Sequence, residues 1–244
     1  MLPARDDADS FASVSVSYDA IADAYDHAYD GPPFQREDRM VARLLAESLP
    51  AGGRVLDIGC GTGKALELLP PCDYVGIDIA ARMVAVARAK HPGADFRVGS
   101  ATALPYADGV FDAVVSTYGS LSHVEDLDLA LAEAVRVLRA GGVLFLMFYG
   151  VAAQVAGPSA GTRVVDYRPR CVEMPPASGI PAWLYSSRDL RRIVRRHVAL
   201  RWIRGLTVLG GGSGTPVRDT FDRLLTIIRP DWAHTVCVLG LKVN

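Results

Sequence analysis

Residues 55–64 read VLDIGCGTGK and decide the fold of this chain. Val55, Leu56 and Ile58 are typical of a strand that is covered on both faces, and glycines follow at positions 59, 61 and 63. Glycine lets the backbone turn sharply and approach a ligand closely. We therefore predict a buried strand, a tight loop and a helix that begins near Gly63, whose free N–H groups would favour an anionic group.

Two carboxylates flank this glycine loop. Asp57 lies at the end of the first predicted strand, and Asp78 ends the next apolar segment, about 20 residues after the loop begins, where a parallel strand can deliver a carboxylate to ribose hydroxyls. The loop and Asp57 together suit a ligand with an anionic and a cationic group. The dinucleotide pattern G-x-G-x-x-G requires glycine where this chain has Lys64, which argues against NAD. A tight turn without a ligand is the alternative, and the paired carboxylates favour the ligand site.

Periodicity and turn residues divide the rest of the chain into strands and helices. Further strands are predicted at 74–77, 96–98, 111–116, 143–149, 200–203 and 236–243. Helices are predicted at 65–69, 81–90, 127–138, 186–197 and 215–229, and Pro33 can open another that ends before Gly52. Strands that alternate with helices are typical of a parallel sheet.

Four segments resemble, in the same order, the class I S-adenosylmethionine (SAM) dependent methyltransferases of the small-molecule, UbiE-like type. They are VLDIGCGTGK, GIDIAARMV at 76–84, ALPYADGVFDAVVS at 103–116 and EAVRVLRAGGVLFL at 133–146. The resemblance implies an α/β fold with a doubly wound, seven-stranded, mostly parallel, Rossmann-like sheet and an N-terminal helical lid. It also implies SAM as the cofactor. It covers residues 18–149 well and the last third of the chain only in outline.

The resemblance implies that SAM contacts the ends of the first strands and the N-terminal segment. The residues expected to bind it are Tyr18, Tyr25, Asp57, Gly59, Cys60, Gly61, Gly63, Asp78, Ile79, Met83, Ser100, Ala101 and Ser116. Many relatives have an acid after the third strand that accepts a hydrogen bond from the adenine amino group. This chain has Ser100 there, whose hydroxyl accepts a weaker, neutral bond. Met83 also fits the packing face of a helix.

Residues 116–123 follow the fourth strand, where a doubly wound sheet places its chemistry. His123 is a candidate catalytic base, since an unperturbed pKa of ~6.5 suits proton removal near neutrality. The alternative is that His123 caps or packs beside Val124. Tyr118, the second catalytic candidate, is either a wall of the site or a hydrogen-bond donor. Because methyl transfer depends mainly on in-line positioning, no catalytic triad is expected.

Residues 1–32 are interpreted as a tail and a lid helix, and residues 33–244 as the methyltransferase domain. Tyr18, Tyr25 and Tyr29 lie at helical spacing, so this stripe either packs on the domain or, as the resemblance implies, covers the cofactor. Residues 150–185 are too long for an ordinary connection, which favours an insertion that covers the substrate. Its arginines are candidates for holding an anionic group: Arg163, Arg168 and Arg170.

The composition of the 244 residues bounds the function. The formal net charge is −1 and no block of Lys and Arg occurs, which argues against nucleic acid and favours a small-molecule substrate.

The longest apolar run, at 143–149, is far shorter than the ~20 residues of a membrane span. No cluster of His and carboxylates indicates a metal site. No secretory segment opens the chain, and its four cysteines are scattered along it, at Cys60, Cys72, Cys171 and Cys237. Both features predict a cytoplasmic location.

The predicted activity is transfer of a methyl group from SAM to an oxygen, nitrogen or carbon nucleophile of a small molecule, with natural-product or cofactor biosynthesis as candidate pathways. The alternative is a SAM-binding protein without methyl transfer, which acts in regulation or uses the sulfonium for another reaction. A nucleic-acid N-methyltransferase would carry N/D-P-P-Y/F after the fourth strand, where this chain has STYG at 116–119. The sequence leaves both a monomer and a homodimer open.

Overall fold

A computed structural model of the chain describes residues 7–151, 170–173, 181–206 and 226–243. The strands in chain order are β1 (Arg54–Ile58), β2 (Asp73–Asp78), β3 (Asp95–Val98), β4 (Phe111–Ser116), β5 (Leu138–Tyr149), β6 (Arg170–Glu173), β7 (Pro181–Leu184), β8 (Ala199–Gly205) and β9 (Thr235–Leu241). Seven of them form one sheet in the order β3-β2-β1-β4-β5-β9-β8. The first five strands run parallel, β9 runs antiparallel between β5 and β8, and β6 and β7 form a separate antiparallel ribbon.

Helices cover the sheet on both faces. They are α1 (Asp7–Ile21), α2 (Tyr25–Ala28), α3 (Pro32–Ser48), α4 (Ala81–Lys90), α5 (Leu127–Val137) and α6 (Ser187–Val194), with 3-10 turns at Ala22–Ala24, Lys64–Glu67, Ser120–His123 and Pro230–Trp232. None of the helices within the described ranges is both long and apolar enough to cross a bilayer.

The core lies on the two faces of the sheet because successive residues of a strand point to opposite sides. In β1, Leu56 packs in one cluster with Leu131 of α5, whereas Val55 packs in another with Val41 and Leu45 of α3. All five side chains are fully buried. Burial of an aliphatic side chain is worth ~1.5–3 kcal/mol, so strands that are apolar on both sides hold helices on both sides. The predicted doubly wound, mostly parallel fold is confirmed.

The strand order places a crevice between β1 and β4. β1 is followed along the chain by β2 and β3 on one side, and the chain then crosses to β4 on the other side. Doubly wound sheets bind ligands where the order reverses in this way, at the carboxyl ends of the strands. The glycine loop after β1 and the turn after β4 meet at this crevice.

Two predicted boundaries are wrong. The segment after the glycine loop forms only the four-residue 3-10 turn Lys64–Glu67 and not an α-helix. β5 begins directly after α5 rather than after Gly142, because the backbone of Gly141 and Gly142 exchanges hydrogen bonds of 3.1 and 2.9 Å with Lys242 and so continues the pairing towards β9. By contrast, β4 has the predicted bounds, and Ser186 forms the predicted capping box at the start of α6.

The N-terminal segment is longer than the single short helix that its aromatic stripe predicts. α1 begins at Asp7, well before Tyr18, the first residue of the stripe, and a 3-10 turn separates it from α2. Ala22 in that turn is buried and packs with Met83 of α4. The Asp19 carboxylate accepts a hydrogen bond of 2.7 Å from the backbone N–H of Arg82. The segment is therefore docked on the start of α4.

Several predictions fall outside the described residues. Arg163 and Arg168 lie there, as does most of the helix predicted at 215–229, of which residues 226–228 are helical in the described part. Within the predicted insertion the structure describes the β6–β7 ribbon, which begins at Arg170. The covering role of this insertion stays a prediction.

Candidate active site

The loop after β1 contacts the turn after β4 closely. Gly59 has a φ of 74°, and a Cβ at this position would lie 2.3 Å from Cβ of Ser120. Gly61 has a φ of 50°, and its N–H donates to Oδ2 of Asp78 at 2.8 Å. The left-handed backbone at these positions favours glycine, and the close approach at Gly59 leaves no room for a side chain. The hydrogen bond from Gly61 thus ties the loop to Asp78 at the end of β2. The loop leads into a 3-10 turn and not into the predicted helix.

Asp78 stands at the carboxyl end of β2 and faces the loop. Its Oδ1 accepts a hydrogen bond of 2.9 Å from the N–H of Ala80, and its Oδ2 accepts the bond from Gly61. Burial raises the pKa of Asp78, and the backbone hydrogen bonds from Ala80 and Gly61 oppose the shift. Each carboxylate oxygen has a second acceptor position, so the side chain can also accept hydrogen bonds from two hydroxyls of a ligand.

A cavity of about 340 Å³ opens beside Asp78 at the carboxyl ends of the central strands. The predicted site residues that line it come from six separate parts of the chain, and they are Tyr18, Tyr25, Gly59, Gly61, Asp78, Ile79, Met83, Ser100, Ala101, Tyr118 and His123. We call this space the first cavity. The fold thus brings together tyrosines of the N-terminal segment, the glycine loop and the turn after β4.

Asp57 does not line the first cavity. Successive strand residues face opposite sides, and Ile58 is the β1 residue in the cavity wall. The Asp57 carboxylate is fully buried on the other side, where it accepts a hydrogen bond of 2.8 Å from the Tyr74 hydroxyl. Burial raises the pKa of Asp57 to about 7. The Asp57 carboxylate therefore faces away from the first cavity.

Three other predicted residues also lie outside the wall of the first cavity. Cys60 packs in a buried cluster with aromatic residues of β2 and β3. A Cβ on Gly63 would lie 2.8 Å from the His91 ring, so this glycine allows the loop to pack against α4 and its following residues. Ser116 is fully buried at the end of β4. These residues shape the loop and the strand end from behind.

One end of the first cavity combines an exposed apolar side chain with two hydroxyls. Ile79 is 52% exposed although it is aliphatic. Ser100 Oγ lies 2.8 Å from Thr102 Oγ1, and the Thr102 N–H donates to Ser100 Oγ at 3.2 Å. The sequence reasoning missed Thr102. Its position two residues after Ser100, in the same connection between β3 and β4, was the available signal.

His123 contacts the N-terminal segment across the first cavity. Its Nε2 lies 3.0 Å from the Tyr18 hydroxyl, at hydrogen-bond distance, and its ring meets the edges of Tyr18 and Tyr149. The histidine is 8% exposed. Burial raises the pKa of Tyr18, so the phenol keeps its proton at neutral pH. A tyrosine proton and an imidazole nitrogen are thus held together in the wall.

Tyr118 connects the first cavity to a network of charges. It has a φ of 52°, unusual for a residue other than glycine, and such strain is often found at functional sites. Its hydroxyl donates to Asp38 Oδ1 at 2.5 Å, and Asp38 pairs with Lys64 at 3.0 Å. Burial and the Asp38 carboxylate raise the pKa of Tyr118. Tyr118 is therefore a neutral wall residue whose proton is directed at Asp38.

A second cavity, of about 760 Å³, adjoins the first, and Tyr25 and Tyr118 line both. Its other walls come from α2, α3, the turn Lys64–Glu67, the end of α4, β5 and the start of β9. Tyr29 of the predicted stripe lines it, but the sequence reasoning missed the other side chains that give it its character, which are Phe34, Glu37, Asp38, Tyr149 and His234. Within the part of the chain that the structure describes, no group of potential metal ligands occurs.

The family profile described as "Methyltransferase domain" matches residues 56–146. A demethylmenaquinone methyltransferase from Renibacterium salmoninarum is 32% identical over 200 residues, which are 78% of this chain and 81% of that protein. A malonyl-[acyl-carrier protein] O-methyltransferase from Methylococcus capsulatus is 36% identical over 158 residues, which are 59% of this chain and 51% of that protein.

The fold also occurs in solved structures. A chain in the complex between the Haloferax volcanii Trm112 methyltransferase activator and its methyltransferase aligns with a TM-score of 0.69 at 20% identity, covering 95% of this chain and 98% of that one. At that identity the likeness shows the fold alone. The sequence similarity over four fifths of a methyltransferase goes further and shows that this chain belongs to the class I SAM-dependent methyltransferases, with SAM as its cofactor.

Proposed function

We propose that the first cavity binds SAM and that the enzyme methylates a small molecule held in the second cavity. The observation that carries this proposal is the shared wall, since Tyr25 and Tyr118 line both cavities. Bound SAM supplies an electrophilic methyl group. The protein has to hold the acceptor next to it and exclude water, because positioning supplies most of the acceleration in such a displacement.

The residues of the first cavity fit SAM in chemistry and size. Asp78 accepts hydrogen bonds from the ribose hydroxyls, and Ile79 packs against the adenine ring. Ser100 and Thr102 offer hydroxyls to the adenine edge in place of an acid. The volume of about 340 Å³ lies within the ~300–1,000 Å³ of small-molecule sites. The four buried residues Asp57, Cys60, Gly63 and Ser116 hold the loop and the strand end in place instead of contacting the cofactor.

The N-terminal segment acts as a lid in this proposal. Tyr18 and Tyr25 place aromatic rings in the wall of the first cavity, while Ala22 anchors the segment on α4. Aromatic faces attract a cation such as a sulfonium by up to ~2 kcal/mol when water is excluded. The division of the chain into a lid at 1–32 and a methyltransferase domain at 33–244 rests on this role.

His123 and Tyr118 are the two candidate catalytic residues, and they lie where the cofactor would meet the acceptor. His123 remains a candidate base, with the Tyr18 hydroxyl 3.0 Å from its Nε2 as the group that orients its ring. Tyr118 forms the wall between the cavities, and its hydroxyl is directed at Asp38. A walled, aromatic second cavity supports a small-molecule acceptor over a nucleic acid. Free thiols at Cys60, Cys72 and Cys237 support a cytoplasmic location.

Incubation of the purified protein with methyl-labelled SAM and an extract of candidate metabolites tests the proposal. We expect label in a small organic product and one equivalent of S-adenosylhomocysteine for each product formed. SAM binding without transfer of label to any metabolite would favour the alternative, a SAM-binding protein that does not methylate. Label in added RNA or protein alone would place the acceptor outside the small-molecule class.

A further inference from the structure

We propose that the acceptor of the second cavity is a small amine whose ammonium group pairs with the carboxylate of Glu37. This inference rests on the function proposed above. Glu37 lies in the second turn of α3, and it lines the second cavity together with the tyrosines that separate the two cavities.

The lysines of the second cavity are already paired. Lys90 Nζ lies 2.8 Å from Asp26 Oδ2 and 2.8 Å from Glu67 Oε1. Lys64 Nζ lies 3.0 Å from Asp38 Oδ2, and Asp38 also accepts the Tyr118 hydroxyl proton. These contacts neutralise both lysines, so the cavity has no free lysine to attract an anionic acceptor.

Glu37 differs from the other carboxylates of the cavity. Within the described ranges, no Lys, Arg or His forms an ion pair with it, and its hydrogen bond comes from the Thr235 hydroxyl at 3.5 Å from Oε1. Thr235 is at the start of β9, so residues from opposite ends of the chain enclose this carboxylate. A carboxylate that is withdrawn from water without a cation is complementary to a cationic ligand.

The aromatic wall of the second cavity favours an amine with an apolar body. The ring centroids of Tyr25 and Tyr29 lie 4.9 Å apart, and those of Tyr29 and Phe34 lie 5.1 Å apart, so these rings form a continuous surface. Aromatic faces attract an ammonium group as well as apolar groups. The wall and Glu37 therefore point to the same class of ligand.

Glu37 also suits the proton transfer that methylation of an amine requires. Burial raises its pKa to about 7, and the charge of Asp38 adds to the shift. The other titratable groups that sense its charge are Tyr118, Tyr149 and Cys237. In its ionised form Glu37 takes one proton from the ammonium group. The nitrogen lone pair then forms the N–C bond while the C–S bond breaks and its electron pair stays on sulfur, and Glu37 passes its proton to solvent.

The test compares amines with the alcohols of the same shape. The pairs are benzylamine and benzyl alcohol, 2-phenylethylamine and 2-phenylethanol, and tryptamine and tryptophol. Binding is measured by calorimetry on protein saturated with S-adenosylhomocysteine, so that no turnover occurs. The variants are Glu37→Gln and a matched control, Glu47→Gln, on the same helix, where the side chain is 52% exposed and paired with Arg43.

We expect the wild type and Glu47→Gln to bind at least one amine about tenfold or more tightly than its alcohol, because a charge-assisted pair is worth ~1.5–3 kcal/mol. Glu37→Gln should lose this preference and keep its affinity for S-adenosylhomocysteine. A wild type that prefers no amine, or a Glu37→Gln variant that keeps the preference, would overturn the inference alone. A wild type that fails to bind S-adenosylhomocysteine would overturn the proposed function itself.

Discussion

Replacing Asp57 by asparagine tests whether this residue contacts the cofactor or has only a structural role. Burial raises the pKa of Asp57 to about 7 in the folded chain, whereas an unfolded aspartate titrates near ~3.9. Folding therefore favours the neutral carboxyl. This contribution to stability is complete below about pH 4 and is lost as the pH rises through about 7.

The size of the effect follows from the two pKa values. They differ by about 3, and a tenfold change in proton affinity is worth about 1.4 kcal/mol, so ionisation of Asp57 lowers the stability by up to about 4 kcal/mol at pH 8. Asp57→Asn keeps an oxygen for the Tyr74 hydroxyl but cannot ionise. The variant should therefore be more stable than the wild type at pH 8 by up to about 4 kcal/mol, or roughly 8–16 °C in melting temperature.

Thermal unfolding at pH 5 and pH 8 measures this gain, which should fall to about 1.4 kcal/mol at pH 5, about one pH unit above the pKa of the unfolded aspartate. The control is Asp73→Asn at the start of β2, where the side chain is 68% exposed and no gain of this kind is expected. Calorimetry on the same samples should show SAM affinity within about threefold of the wild type, since Asp57 does not line the first cavity. A variant with no gain at pH 8 and a large loss of SAM affinity would refute the reasoning and return Asp57 to the binding site.

Three further variants test the loop and the lid. Gly59→Ala should destabilise the protein by roughly 1–3 kcal/mol or more and impair SAM binding, because its Cβ would lie 2.3 Å from Cβ of Ser120. Gly61→Ala, which meets open space, should cost about 1 kcal/mol, so equal melting temperatures of the two variants would contradict the loop geometry. Removal of residues 1–30 should weaken SAM binding about tenfold or more while the remaining chain stays folded, because Tyr18 and Tyr25 are lost from the cavity wall. A large fall in melting temperature with unchanged SAM affinity would show that the segment is a packing element and not a lid.

Sequence reasoning succeeds where a residue's place along the chain determines its place in the fold. Asp78 and Ile79 follow β2, and His123 follows β4, so the topology of a doubly wound sheet brings them to one crevice. Asp57 shows the limit of this reasoning. Both faces of β1 carry buried apolar residues, so the sequence does not indicate which face lies towards the cavity. The structure places Ile58 in the cavity wall, and Asp57 therefore points to the opposite face.

The second cavity was missed for a different reason. Glu37 and Asp38 are adjacent acids on an amphipathic helix, and such residues are typical of a solvated face. Thr235 is 198 residues away from Glu37 in sequence, and only the antiparallel β9 brings the two together. The wrong predicted start of β5 has a similar cause. Gly141 and Gly142 belong to β5 because they pair with Lys242, near the other end of the chain.

The most direct test of the proposed cofactor site is the affinity of Asp78→Asn for SAM, measured by calorimetry next to the wild type. The substitution keeps the shape of the side chain and one acceptor oxygen, but it removes the charge that strengthens hydrogen bonds from ribose hydroxyls and the acceptor for one of the two backbone N–H groups, of Gly61 or Ala80. Each such bond is worth ~1.5–3 kcal/mol, so we predict a loss of affinity of more than about tenfold in a variant that remains folded. A folded Asp78→Asn protein that binds SAM as tightly as the wild type would contradict the assignment of the first cavity to the cofactor.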